Sequence, residues 1–366
     1  QSPVASGAFL PSGREYFRAF REAALAAEHE VVLLAWDLCE TVEMIRDEED
    51  DDGHPSKVGD FLIALLDEKP GLQIRILLWD YSVIYLAERE WLPFTKLGQL
   101  DHPSLQLVTD DTVPAGASHH QKLVVIDGAV AICGGLDLAA WRWDSPEHLA
   151  HDPRRKSPDG KPYPPYHDMQ VMLAGKVTND LRELASSRWE RATGKPLPDL
   201  QHSGGQALWP DSVPVDFEDT EVAIALTYPG YESYPATHQI EQLYLDAIAC
   251  AEQRIYIENQ YLTSKVLVDA LCEKLRDDEG PEIVMLLTKE AGWAENMTMG
   301  RMRNRLLEKL RAADTHDRFR CYYPCAGDGD EEQAVYVHAK TMIVDQRTLI
   351  TGSANLSNRS MRVDTE

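Results

Sequence analysis

The chain has 366 residues, with 36 Lys and Arg against 61 Asp and Glu and a formal net charge of −25. At 43% hydrophobic residues it can bury a large core, which excludes intrinsic disorder as its main state. The acidity argues against a general nucleic-acid binder or a polybasic membrane anchor, since both need clustered Lys and Arg, and no run of 18 apolar residues suggests a spanning helix. In chain order, apolar runs predict strands at 31–36, 73–79, 122–126 and 169–173, then at 254–258, 282–287 and 340–344. Helical periodicity occupies 14–28, 58–68, 176–192, 237–251, 264–276 and 294–312. Helices interleaved with buried strands predict an α/β fold. Residues 195–219 lack period and are rich in Pro and Asp around Trp209, so they read as a connection between lobes 1–194 and 220–366. Six cysteines are too sparse for a disulfide scaffold, and the lone Cys321/Cys325 pair is too little for a zinc site. The acidic run Asp47 to Asp52 lacks calcium-loop spacing and reads as a solvated loop. Residues 144–166 form a polar, Pro-rich insertion, either a lid over a site or a passive loop. His148 and His151 within it read as surface residues.

The chain repeats itself. His120-Gln-Lys122 followed by Asp127 has the form H-x-K-x4-D, and His338-Ala-Lys340 followed by Asp345 has it again, 218 residues later. A small-residue turn starts twelve residues after each Lys: Gly134-Gly135-Leu136-Asp137 in one copy, Gly352-Ser353-Ala354-Asn355 in the other. Upstream, 27–34 matches 251–258 and 71–78 matches 280–287. This is a two-fold duplication of domain-sized units. It predicts two similar α/β/α sandwich lobes related by a pseudo-two-fold, with one shared active site. After Glu366 a further strand and helix would be expected, so the second lobe looks truncated and a missing C-terminal segment or membrane domain is anticipated.

On a strand, the His and Lys of H-x-K point the same way. Two copies would bring two imidazoles and two ammonium groups to one point, which suits a phosphodiester. Lysines neutralise non-bridging oxygens. One His attacks phosphorus and the other donates a proton to the leaving oxygen. Ser353 and Asn355 can add donors. Each His needs a partner on its second nitrogen.

These residues resemble the paired motifs of the phospholipase D superfamily, in its true phospholipase D branch. The first motif is His119-His120-Gln121-Lys122 through Asp127, then Gly134-Gly135-Leu136-Asp137 and Arg142-Trp143-Asp144. Ile255-Tyr256-Ile257-Glu258-Asn259-Gln260-Tyr261 resembles the family's middle motif. The second is His338-Ala339-Lys340, Gly352-Ser353-Ala354-Asn355, Asn358-Arg359-Ser360-Met361 and Asp364-Thr365-Glu366. The likeness spans about 15–366.

The resemblance implies a phosphohistidine intermediate, with His120 the nucleophile and His338 the acid/base. It implies that Asp168 orients His120 and Glu366 orients His338. Asp127 and Asp345 are then structural, as are Gly134, Gly135, Asp137 and Gly352. No metal or cofactor is implied. Trp141, Trp143, His167, Tyr261 and Trp293 are candidates for a substrate cleft, whereas Trp36 and Trp79 read as core. The expected substrate is a glycerophospholipid at a membrane surface, cleaved to phosphatidic acid and the head alcohol, with water or an alcohol as acceptor and no nucleic-acid partner. A cardiolipin-synthase-like phosphatidyltransferase and a lipid-binding module of a larger membrane protein are the alternatives. The expected location is cytoplasmic or peripheral to a membrane, in a bacterium. The surface acidity leads to an expected preference for zwitterionic membranes.

Overall fold

The computed structural model describes residues 1–80, 100–200, 208–289 and 300–366. The chain forms two units. Unit 1 comprises Gln1–Pro146, Pro153–Tyr163 and Met169–Ile224; unit 2 comprises Glu147–Asp152, Pro164–Asp168 and Ala225–Glu366.

Unit 1 is built from β1 (Ser2–Leu10), α1 (Gly13–Ala26), β2 (Glu30–Ala35), α2 (Val58–Glu68), β3 (Gln73–Trp79), β4 (Leu105–Asp110), β5 (Leu123–Ile126), β6 (Val130–Gly134), β7 (Gln170–Ala174), α3 (Val177–Thr193) and β8 (Phe217–Val222). Its eight-stranded sheet has the order β4-β3-β2-β5-β6-β7-β1-β8. β2, β3 and β4 run parallel, and the other pairings are antiparallel. Side chains alternate across each strand. Val32, Leu34, Leu77, Leu123 and Val125 therefore share a face, and they pack with Val177, Leu181, Ala185 and Trp189 of α3. Val31, Leu33, Ile74 and Ile76 point the other way and are equally buried. α2 packs on β3, and α1 meets α2 through Phe20 and Phe61, which leaves these two helices to cover that second face.

Two features of unit 1 correct the sequence reading. β8 begins inside the stretch read as a connection and pairs with β1. The acidic run at 47–52 is not simply solvated. Arg14 Nε donates to Asp50 (3.0 Å), and Arg21, itself buried, grips Asp52 (3.0 and 2.5 Å), which ties the loop to α1.

Unit 2 contains α4 (Gln239–Cys250), β9 (Arg254–Asn259), α5 (Lys265–Arg276), β10 (Glu282–Leu287), α6 (Arg301–Ala313), β11 (Phe319–Tyr322), β12 (Lys340–Val344), β13 (Thr348–Thr351) and α7 (Asn358–Arg362). Its sheet order, β11-β10-β9-β12-β13, repeats β4-β3-β2-β5-β6 of unit 1. The register repeats too: Val31 sits opposite Ile126, and Ile255 opposite Val344. Ile255, Ile257, Ile283, Met285, Met342 and Val344 form one core with Ile248, Leu271 and Leu310 of the three long helices. Positions 294–299 of the helix expected at 294–312 lie outside the described residues.

The aspartates that end the two motifs do the same job in each unit. Asp127 accepts from the backbone N–H groups of Glu28, His29 and Glu30 (2.7, 2.9 and 2.6 Å). Asp345 accepts from those of Glu252, Gln253 and Arg254 (2.8, 2.8 and 2.7 Å). Both residues adopt positive φ, 49° and 51°, which a short polar residue tolerates. Each carboxylate thus pins the helix-to-strand turn to the end of the motif strand. Asp127 is buried and Asp345 only half-buried. Asp127→Ala should therefore cost about 2 kcal/mol, because three backbone donors lose their acceptor and that of Glu30 is buried. Asp345→Ala should cost less, and urea unfolding of both variants checks the order.

Candidate active site

In unit 2 the short strand Tyr336–Val337 runs just ahead of β12 and pairs in parallel with Tyr166–His167. This pairing draws a piece of the first half of the sequence to the second motif. His338 N donates to the His167 carbonyl (2.8 Å), and the next residue, Asp168, places Oδ2 2.5 Å from His338 Nδ1. Both residues are buried. A carboxylate at Nδ1 accepts a hydrogen bond from it, which keeps the proton on Nδ1 and the lone pair on Nε2, and it stabilises positive charge on the ring. Lys340 Nζ lies 2.9 Å from the same Nδ1 and also donates to the His338 carbonyl. The Tyr166 ring lies 5.4 Å from the His338 ring and stacks on Tyr336 at 5.5 Å.

Asp168 thus faces His338 Nδ1, where the sequence reading placed Glu366, having paired Asp168 with His120. The reason is the short parallel strand pair, which turns 164–168 into unit 2. Glu366 is buried, and its backbone exchanges hydrogen bonds with Thr227 (3.0 and 3.2 Å). Its carboxylate adds to burial, the larger cause, in pushing the Tyr244 phenol upward.

A second chain of polar contacts supports this strand. His148 Nε2 lies 3.1 Å from His167 Nδ1, and His167 Nε2 lies 2.9 Å from Glu258 Oε2. The Tyr256 hydroxyl donates to Glu258 Oε1 (2.6 Å). Burial pushes the Glu258 carboxyl up, but His167 and Tyr256 outweigh it and hold the group below its ordinary value. Asn355 is buried on the turn after β13, and its N–H donates to Ser360 Oγ (3.1 Å). The neighbouring Leu356 N–H donates to Asn259 Oδ1 (3.0 Å), and Asn259 is the register partner of Lys340. Gly352 and Ser353 are half-exposed.

Unit 1 repeats the lysine arrangement. Lys122 Nζ donates to the His120 carbonyl (2.9 Å) and lies 3.4 Å from Asp137 Oδ2. Asp137 Oδ1 accepts from Trp36 N (3.0 Å), so this aspartate serves both the lysine and the backbone just past β2. Trp36 stacks on Trp79 (5.9 Å between rings) and presents an edge to His120 (6.3 Å). At Gly134 a Cβ would run into Gln170 Oε1 and lie 2.5 Å from the Met169 carbonyl, so only glycine fits.

His119 and Gln121 alternate to the opposite side. His119 Nε2 lies 3.0 Å from Asp110 Oδ1, and Arg188 reaches Asp110 Oδ2 with two nitrogens (3.1 and 2.7 Å) and Gln121 with a third (2.7 Å). All four side chains are buried. Burial pushes the His119 imidazole down to about 4, and Arg188 adds to that.

A family model described as "Cardiolipin synthase, PLD-like domain" matches residues 244–366. Phospholipase D alpha 1 of Ricinus communis is 24% identical over 99% of this chain, and Phospholipase D A of Dictyostelium discoideum is 27% identical over 95%. The phosphatidylserine synthase of Haemophilus influenzae Rd KW20 superposes with a TM-score of 0.62 at 13% identity, covering 100% of this chain and 83% of its own. The chain belongs to the phospholipase D superfamily. It spans 60% of the length of the Ricinus relative and 31% of the Dictyostelium one. Enzymes of the phospholipase D superfamily act without a metal or cofactor.

The remaining sequence candidates distribute unevenly in this superfamily member. Trp143 is buried beneath the guanidinium groups of Arg46 and Arg154 (4.9 and 5.2 Å), so it packs the interior and does not line a cleft. Trp141 is exposed, with φ 59°. Tyr261 receives a hydrogen bond from Gln260 (3.0 Å), which also reaches Tyr336 (2.8 Å). Trp293 lies outside the described residues. His167 and His148, the latter read as a surface residue, join the chain to Glu258. Sequence reasoning missed Trp36 and Glu258. The duplication held the signal for the first, since Trp36 at the end of β2 matches Gln260 of the middle motif. A charged residue inside an apolar strand marked the second.

Proposed function

We propose that the chain is a phospholipase D-type phosphodiesterase. It would split a glycerophospholipid into phosphatidic acid and the head alcohol, and pass the phosphatidyl group to an alcohol when one is present. The observation that carries this reading is the duplicated His–Lys arrangement, in which each lysine returns to the carbonyl of its own histidine and His338 is held at Nδ1 by Asp168.

In the proposed reaction, His120 attacks phosphorus, a phosphorus–nitrogen bond forms and the bond to the head-group oxygen breaks. His338, protonated, gives its Nε2 proton to that oxygen, and the Asp168 carboxylate supports the charged ring beforehand. His338 then takes a proton from water or an alcohol, whose oxygen displaces His120 from phosphorus. Lys122 and Lys340 neutralise the non-bridging oxygens, and Ser353 and Asn355 add donors on the second-motif side. The first-motif turn has Gly135 and Asp137 in place of that Ser and Asn, so it supplies fewer donors.

The family description matching 244–366 favours a second reading, transfer of the phosphatidyl group to a lipid alcohol as in a cardiolipin synthase. One experiment separates the two. Mixed phospholipid vesicles are incubated with the protein and ethanol, and products are read by mass spectrometry. Phosphatidylethanol and phosphatidic acid support the hydrolase reading, and cardiolipin supports the transferase. An absence of any phosphatidyl product would sink both.

A further inference from the structure

Helix α6 inverts the charge balance of the chain. Between Arg301 and Ala313 it carries Arg301, Arg303, Arg305, Lys309 and Arg311 against Glu308 alone. Leu306, Leu310 and Ala313 bury one side of the helix. Arg301, Met302 and Arg305 are exposed on the other. Arg303 donates to the carbonyls of Thr288 (3.0 Å) and Lys289 (3.3 Å), which fastens the start of α6 to the loop after β10. Lys289 in turn holds its ammonium 4.8 Å from the centre of the Tyr323 ring. Tyr322 and Tyr323 are more than half exposed, and Met302 is 44% exposed. The cations, Met302 and Tyr323 therefore lie along one strip at the start of α6 and the loop it is fastened to, whereas Tyr322, in register with Leu286, turns to the opposite face of the sheet.

The strip lies at a particular edge of the unit 2 sheet. Asn259 is in register with both Leu287 and Lys340, and Leu286 with Tyr322. Lys289, Tyr322 and Tyr323 therefore leave the sheet at the edge that carries Lys340.

We propose that this strip is a docking surface for anionic phospholipid, which seats the Lys340 edge of the sheet on the head groups. Guanidinium and ammonium groups attract lipid phosphates and carboxylates. Tyrosine rings suit the boundary layer, with an apolar body and a wet hydroxyl. An exposed thioether adapts to irregular apolar surface. The net charge of −25 does not cancel the attraction, because at physiological ionic strength charges more than about 8 Å away are largely screened, and the cations of the strip meet the surface first. The preference for zwitterionic membranes expected from total charge is therefore reversed locally. The inference stands apart from the phosphodiesterase reading, since it concerns binding.

The test is flotation of the protein with vesicles of phosphatidylcholine alone and of phosphatidylcholine mixed with phosphatidylserine. Binding should rise with phosphatidylserine and fall with salt. The double variant Arg301→Glu/Arg305→Glu should lose more than about tenfold in partitioning to the mixed vesicles. It should keep its melting temperature and its activity on a dispersed short-chain phospholipid. Tyr323→Ala should weaken binding to both compositions. Equal binding to the two vesicle types, full binding by the charge-reversed variant, or tighter binding to a duplex DNA fragment than to the mixed vesicles would each overturn the proposal. A parent protein that binds the mixed vesicles but never turns over the short-chain lipid would sink the phosphodiesterase reading and leave the docking surface standing.

Discussion

His338→Ala should reduce turnover by about 10⁴-fold or more, and Asp168→Asn should lower kcat by about 10² to 10⁴ with little change in KM. The two substitutions test one physical point. Asp168 lies 2.5 Å from His338 Nδ1, so the carboxylate sets the tautomer and offsets charge on the ring. Asparagine nearly matches its shape but has no charge, and its amide can donate to Nδ1 and select the wrong tautomer. Substrate binding should survive because the short strand pair at 166–167 and 336–337 is held by backbone hydrogen bonds. His120→Ala should match His338→Ala. Steady-state kinetics on a dispersed phospholipid decide the matter, and near-normal turnover in either alanine variant would refute the paired mechanism. Trapped phosphate on a peptide containing His120, but not on one containing His338, would assign the nucleophile.

Arg188→Ala should destabilise unit 1 by about 3–5 kcal/mol, the usual loss when one partner of a buried ion pair is removed. Arg188 reaches Asp110 with two nitrogens and Gln121 with a third, in a place where water cannot substitute. Without it, a buried carboxylate loses the cation that grips it with two nitrogens. The expected fall in melting temperature is on the order of 10 °C. Arg188→Lys should recover only part of this, since an ammonium cannot reproduce the forked contact. The same cluster gives an acid limb. His119 is held down to about 4 in the folded chain, against about 6.5 when unfolded. As pH falls below 6.5 the unfolded chain gains a proton that the folded chain refuses until about 4. Stability should therefore drop across that window by about 3 kcal/mol, and His119→Gln should flatten the slope. Calorimetric melting between pH 7 and pH 4 reads both effects.

The strands legible in the sequence were those with continuous apolar runs. Residues 73–79, 282–287 and 340–344 form strands with the bounds that their composition suggests. Helices 58–68 and 264–276 were equally plain, since their apolar spacing follows the turn of the helix. β1 carries Pro3 and Gly7 and lacks a clean pattern, and β8 reads Phe-Glu-Asp-Thr-Glu-Val because it is an exposed edge. Neither announces itself. β6 and β13 are short and merge into the motif turns. The motif residues were visible because a duplicated spacing is improbable by chance. The exchange of Asp168 was not visible. It depends on a two-residue strand whose pairing is decided by partners far away in sequence, including Tyr336 beside Tyr166. Trp36 was hidden for a related reason: a tryptophan ending an apolar strand looks like core until its neighbour His120 is placed.

The contact between Asp168 and His338 spans 170 residues of chain. At cellular rates of synthesis, about 5–20 residues per second, His338 leaves the ribosome roughly 10 to 30 s after Asp168. By then the last strand of the unit 1 sheet, which ends at Val222, has already emerged. The segment 164–168 must therefore stay available while the rest of its own half folds around it. His338 meets Asp168 only once the second motif has been made, long after the first motif has emerged.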